Sequence, residues 1–196
     1  MDLNKADPKR LDTVYKKVTW HLLPFLLLCY FFAYLDRINI GFAKLQMQQE
    51  LGFNDAIYGM AAGIFFLGYV LFEVPTNLYF EKIGARKTIT RIMILWGLTS
   101  MSMLFVTTPQ MFYVLRFLLG VFEAGFAPGM IFYLTYWYSG ARMARVMAIV
   151  MLAGPLAGML GAPLSTQIMG AFHESQGLSG RQWFFSLEAI PTVMLG

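Results

Sequence analysis

The feature that most constrains this chain is the recurrence of long stretches without a single charged side chain. None lies between Arg91 and Arg116, and none between Arg145 and Glu174. Uncharged apolar runs of about 18 residues or more read as membrane-spanning helices. A helix satisfies its own backbone hydrogen bonds, which hydrocarbon cannot do for it. Composition points the same way. Apolar residues make up 58% of the 196 positions and charged residues 13%, against about 25% charged in an ordinary globular domain. The implied fold class is an all-α membrane protein.

The runs predict a polar leader at 1–19 and helices over about 20–43, 56–80, 91–107, 111–138, 146–172 and 182–196. Short basic loops are expected at Glu81–Arg91 and Ser139–Arg145. A tight turn is expected at Thr107–Gln110, because Pro109 disfavours helix at the residue before it. A spanning helix needs about 20 residues. The last run stops short of that, so the sixth helix is expected to be truncated and the chain to be a fragment. The leader is long and Asp36 interrupts the first run, which argues against a cleaved signal peptide. Cys29 lies inside that run and reads as a packing residue.

The basic residues fall on alternate connections. Lys5, Lys9, Arg10, Lys16, Lys17, Lys82, Arg86, Lys87, Arg91, Arg142 and Arg145 lie on one side, and only Lys44 and Arg181 on the other. This bias predicts a cytoplasmic N-terminus. It also explains the basic pI of about 9.2 as charge at a membrane surface, so no nucleic-acid partner is implied.

Six ionisable groups nevertheless sit within the spans: Asp36, Arg37, Glu73, Arg116, Glu123 and Glu188. A central charge costs roughly 2.5–3.5 kcal/mol on insertion scales, and such groups usually face a bundle interior or a wet cavity. Arg116 and Glu123 are two helical turns apart, with Gly120 between them, roughly 10 Å along the axis. They need not pair directly. A carboxyl that moves between a dry setting and an arginine suits a proton carrier; the competing reading of Glu123 is a fixed ion pair with the first span. Asp36 and Arg37 point about 100° apart, with Asn39 on the Asp36 side. Either Arg37 faces the cavity as an anion clamp while Asp36 packs on the fourth span, or the reverse; otherwise both simply cap the helix end. Glu73, before Pro75, fits a gate or a substrate role equally, and Glu188 stays unassigned.

In the fifth span, Gly154, Pro155 and Gly158 suggest close packing and a bend, since small residues let backbones approach and proline removes a hydrogen bond. Two separated histidines, His21 and His173, make neither a metal site nor a triad. With no nucleophile–base pair, phosphate loop or metal cluster, the sequence offers no enzyme and no cofactor.

The stretch NLYFEKIGAR after the second span resembles the loop motif of the major facilitator superfamily. Glu81, Lys82, Gly84 and Arg86 occupy its acidic, basic, glycine and basic positions, while Asn77 and Ala85 depart from it. Arg116 and Gly120 match the Arg-x-x-x-Gly that opens the superfamily's fourth helix. YLDRINIGFA, FEVPTNL, LRFLLGVFEAGFAPGMIFYLTYWY, PLAG, GAPLS and WFFSLEAIP are similar to the anion:cation symporter family, which includes tartrate, phthalate, glucarate and galactonate carriers. The resemblance implies the six-helix N-terminal bundle of a twelve-helix carrier, built of two inverted three-helix repeats, with the C-terminal bundle missing. It implies alternating access in a bacterial inner membrane, with the lipid bilayer, a small organic anion and a proton as partners. By the same resemblance Arg37, with Tyr34 and Asn39, is a substrate ligand; Asp36 and Glu123 couple protons, and Arg116 modulates them. Glu81, Lys82, Gly84 and Arg86 form a gating loop; Gly120, Gly154, Pro155 and Gly158 pack helices. Val150 and Met159 break the helix-5 pattern of antiporters, which favours symport. An organic-anion exchanger without proton coupling is the alternative.

Overall fold

The computed structural model describes residues 8–138, 140–171 and 180–195. These form α1 (Pro8–Leu51), α2 (Asp55–Ile83), α3 (Ala85–Ser102), α4 (Pro109–Glu123), α5 (Phe126–Thr135), α6 (Gly140–Met151), α7 (Ala153–Ala171) and α8 (Gly180–Leu195). A short 3-10 turn, Met103–Phe105, extends α3. No strand occurs among the described residues. Five stretches are long and apolar enough to cross a membrane: Thr13–Ile38, Asp55–Ile83, Ala85–Phe105, Pro109–Thr135 and Arg142–Gln167. Thus α4 with α5 makes the fourth span, and α6 with α7 the fifth.

Several boundaries differ from the sequence expectation. Helix α1 begins at Pro8, well inside the expected polar leader. The expected loop Glu81–Arg91 is almost entirely helical. Gly84 alone separates α2 from α3, at φ +91°, a conformation that side chains other than glycine rarely adopt. Its N–H donates to the Phe80 carbonyl at 3.0 Å, closing α2, and the Thr88 hydroxyl donates to the Gly84 carbonyl at 2.9 Å, opening α3. At the other turn, the Thr108 hydroxyl accepts from the Met111 N–H at 3.3 Å and Pro109 takes the first helical position. Its missing N–H costs nothing there.

The fourth span was expected as one helix, and the fifth as one helix bent near Gly154 and Pro155. Instead the fourth breaks at Ala124–Gly125 and the fifth at Leu152. Each break lies about one turn before a proline, Pro128 and Pro155. A proline cannot donate to the carbonyl four residues earlier, and its ring crowds that carbonyl. Pro155 therefore sits in the first turn of α7, next to the break.

Close backbone approach holds α2 against α4 and α5. A Cβ on Gly68 would stand 2.6 Å from the Phe117 carbonyl oxygen. One on Gly120 would run into the Phe65 carbonyl, one on Gly125 into the Thr76 methyl, and one on Gly129 into the Phe80 ring. Side chains at these four positions would wedge the helices apart, so glycine is needed for space. Through the bundle Leu26, Met47, Phe80, Met93, Trp96, Phe112, Leu119, Phe126, Met130 and Leu134 are fully buried. Outward-facing Met60, Phe66, Leu67, Val70, Leu71 and Val74 on α2 present an apolar surface suited to lipid or to further protein.

Candidate functional site

The charged residues of the first and fourth spans converge. Arg37 of α1 donates through Nε to Oε1 of Glu123, the last residue of α4, at 2.6 Å. The two partners differ sharply in exposure. The Glu123 side chain is 1% exposed and that of Arg37 36%. The pair is therefore buried at its acid end and open at its basic end. Two aromatic rings flank the guanidinium, Tyr34 with its centroid at 5.8 Å and Tyr69 of α2 at 5.4 Å. Both distances are within the reach of cation–π attraction. Tyr34 stands against Tyr30 edge-to-face at 5.0 Å and against Gly154 of α7, where a Cβ would lie 3.2 Å from the ring. The first turn of α7 thus leaves just enough room for Tyr34.

Asp36 goes elsewhere. Its Oδ1 accepts from the Ser100 hydroxyl at 2.6 Å and its Oδ2 from the Trp96 indole N–H at 3.2 Å. Both donors belong to α3. The expected choice placed one of the neighbouring charges on the cavity and Asp36 against the fourth span, or the reverse. The structure corrects both versions: Arg37 is at once the open group and the partner of the fourth span, and Asp36 ties α1 to α3. The angular separation of adjacent helical residues makes this division possible.

Arg116 lies in α4 two turns before Glu123 and is buried. Its guanidinium carbon sits 4.9 Å from the centre of the Phe65 ring. Its Nε and the Oε2 of Glu123 are both buried without a hydrogen-bond partner. Buried polar atoms are normally satisfied, so the Arg116 N–H would stabilise a water or a ligand oxygen, and the Glu123 oxygen a water or a proton. Helix α2 serves both arginines, with Phe65 under Arg116 and Tyr69 beside Arg37 one turn later.

The remaining expected residues scatter. Glu81, Lys82 and Arg86 are exposed at the α2–α3 junction, around Gly84. Glu73 is half-buried in α2. Gly120 faces the seam described above. Gly158 does not pack as expected: it is exposed, and a Cβ there would meet nothing within 4 Å. It lies one turn after Gly154 on nearly the same side of α7, where no neighbouring element comes within reach. The side chains of Asn39 and Glu188, and all of His173, lie outside the described residues. Sequence reasoning missed Tyr69, Phe65, Trp96 and Ser100. The signal available for the last two was a pair of hydrogen-bond donors four residues apart in an uncharged span, hence on one helical face.

At the other end of α1, Lys44 pairs with Asp55 at 2.7 Å, and Gln48 donates to the same Asp55 oxygen at 2.9 Å. Asp55 is 80% exposed, so this pair contributes little stability. No group of three or more His, Cys, Asp or Glu side chains that could hold a metal occurs among the described residues.

The profile of the Major Facilitator Superfamily matches residues 26–196. The chain is 56% identical over 183 residues to a protein of Pseudomonas putida provisionally named metabolite transport protein NicT, covering 93% of this chain and 42% of that protein. It is 52% identical over 183 residues to a provisionally named tartrate transporter of Agrobacterium vitis, covering 93% of this chain and 40% of that one. It is 40% identical over 186 residues to the inner membrane transport protein RhmT of Escherichia coli, covering 95% of this chain and 43% of that one. The chain therefore spans about two fifths of the length of these relatives. A crystal structure of a bacterial homologue of the human lysosomal transporter Spinster, inward-facing and occupied, has a TM-score of 0.80 at 17% identity, covering 89% of this chain and 42% of that one. At that identity the likeness speaks for the fold alone. With the profile matched along most of its length and its helices arranged as in a solved transporter, this chain belongs to the Major Facilitator Superfamily of multi-pass membrane transporters.

Proposed function

We propose that this chain is the N-terminal bundle of a secondary transporter that carries a small organic anion together with a proton by alternating access. The observation that supports it most is the Arg37–Glu123 pair, open at the arginine and closed at the acid. A guanidinium binds a carboxylate through a two-point fork. An incoming carboxylate and Glu123 then compete for Arg37. When Glu123 is ionised it holds Arg37. When Glu123 takes a proton, the ion pair is lost and Arg37 turns to the substrate anion. Proton and anion thereby favour each other's binding, as thermodynamic linkage requires of any such pair. Tyr34 and Tyr69 border the guanidinium and limit what fits beside it. Arg116, with an unpartnered Nε, offers a second positive charge along α4, and Asp36 is a second acid anchored to the third span.

An organic anion as substrate agrees with the name of one relative, a tartrate transporter, and a small solute with that of another, a metabolite transport protein. In this reading the membrane is a bacterial inner one, as for the inner membrane transport protein RhmT, and the basic connections face the cytoplasm. A second bundle completes the cavity opposite Arg37. An exchanger without proton coupling keeps one observation in its favour, because a 2.6 Å pair also suits a permanent tie between α1 and α4.

The deciding experiment uses the full-length protein in proteoliposomes with tartrate as the first anion tried. Glu123→Gln should abolish accumulation driven by a pH gradient and leave anion counterflow in place. Normal gradient-driven accumulation by that variant would remove Glu123 from the coupling role.

A further inference from the structure

A second charged site lies far from the Arg37–Glu123 pair, where the start of α1 meets the start of α6. A groove of about 680 Å³ there is lined by Tyr15, Lys16, Thr19 and Trp20 of α1, by Tyr138, and by Arg142, Arg145, Val146 and Ile149 of α6. Trp20 and Arg37 are seventeen residues apart in one helix, so the two sites stand roughly 25 Å apart along the axis.

We propose that this groove binds the phosphodiester headgroup of an anionic phospholipid. Three cations, Lys16, Arg142 and Arg145, converge on it from two helices. Its wall is built rather than incidental. The Thr19 and Tyr138 hydroxyls share a hydrogen bond at 2.8 Å, and the Tyr15 and Tyr138 rings stand 6.1 Å apart. Arg142 stacks over Tyr15, its guanidinium carbon 4.1 Å from the ring centre. That contact fixes one cation against the wall of the groove, while Lys16 and Arg145 line it from either helix.

Two further observations select a lipid over a soluble anion. The groove lies at the ends of two spanning stretches, which begin at Thr13 and at Arg142. That is the level of the headgroups. Trp20 is 78% exposed beside it, and exposed tryptophan is enriched at that level. In addition, Val146 and Ile149 continue the floor from the cations down the span. A soluble anion makes no use of an apolar floor, whereas the glycerol and first acyl carbons of a phospholipid do.

The test measures lipid binding to the purified full-length transporter by native mass spectrometry, with phosphatidylglycerol and phosphatidylcholine as probes. Phosphatidylglycerol should bind more tightly. Exchanging Lys16→Gln and Arg145→Gln together should weaken it by about 10- to 30-fold, from the usual gain per basic residue at an anionic surface, with phosphatidylcholine unchanged. Removing two charges elsewhere on the same side, Lys87→Gln with Arg91→Gln, should change it less than threefold. Should the first double variant fail to fold, Arg145→Gln alone carries the same comparison. Equal losses from both double variants would mean diffuse surface charge and overturn the site. Displacement of the lipid by millimolar inorganic phosphate would assign the groove to a soluble anion instead. Equal affinity for the two lipids, as when another segment of the full-length protein fills the groove, would also overturn it.

Discussion

Arg37 reaches Glu123 through Nε alone while its guanidinium carbon lies between the Tyr34 and Tyr69 rings. A lysine at 37 would keep the charge but lose the planar fork and most of the ring contact. Arg37→Lys should therefore weaken apparent anion affinity by about tenfold or more, read as the concentration dependence of counterflow in proteoliposomes. The same pair sets the sign of a pH effect. Glu123 competes for Arg37 only when ionised. Raising pH through its titration should weaken anion binding by up to about tenfold per pH unit, one proton being linked to one anion. Lowering pH should strengthen binding until the acid is fully protonated. Glu123→Gln, fixed in the neutral form, should flatten that profile; a profile unchanged in the variant would assign the pH effect to another group. Ser100 allows a separate check on Asp36. Ser100→Ala removes the 2.6 Å donor to Oδ1 and leaves the Trp96 bond. Interhelical hydrogen bonds in membranes are worth about 0.5–2 kcal/mol. A modest loss of thermal stability in detergent is the expected outcome.

Between helices, backbone proximity decides which substitutions matter. Gly120 and Gly158 were both read in the sequence as helix-packing glycines in long apolar runs. In the fold Gly120 abuts the Phe65 carbonyl and Gly158 meets open space. Gly120→Leu should prise α2 from α4, with a large drop in melting temperature and loss of transport. Gly158→Leu should leave the thermal stability of this bundle nearly unchanged. Similar losses from both would contradict the packing described. The contrast also indicates what was legible beforehand. Charge-free runs give the spans, because insertion depends on composition averaged over about 20 residues. A 100° step between neighbours shows that Asp36 and Arg37 part company. Which helix each one meets depends on tertiary neighbours, so Trp96, Ser100 and Tyr69 stayed hidden. The break at Gly125 was equally hidden, and the bend expected from Gly154 and Pro155 became a full break at Leu152, whereas Pro24, Pro75 and Pro163 lie inside α1, α2 and α7 without interrupting them. A proline permits a break, and packing decides whether one occurs.

For the whole molecule, the open question is which way the bundle sits in the membrane. Lys82, Arg86, Lys87 and Arg91 at the α2–α3 junction lie on the same side as Lys16, Lys17, Arg142 and Arg145, with Lys44 at the opposite end of α1. Loops rich in lysine and arginine are retained on the cytoplasmic face during insertion. Cys29 of this chain is fully buried and does not interfere with a labelling test, and any cysteine in the rest of the full-length protein is replaced by serine beforehand. Single cysteines would be placed at exposed sites at both ends of the bundle. Lys87→Cys and Ala144→Cys probe the basic side, and Gln49→Cys and Asn54→Cys the other. In intact bacteria expressing the full-length protein, a membrane-impermeant maleimide should modify the second pair and spare the first. Permeabilised cells should show all four modified, which establishes that the spared thiols are reactive. The reverse pattern would turn the bundle over, and with it the groove at Lys16 and Arg145 would face the outer leaflet. The direction in which a proton gradient drives the anion would then need a different gate. The Arg37–Glu123 geometry would survive that inversion, because turning the bundle over changes no contact within it.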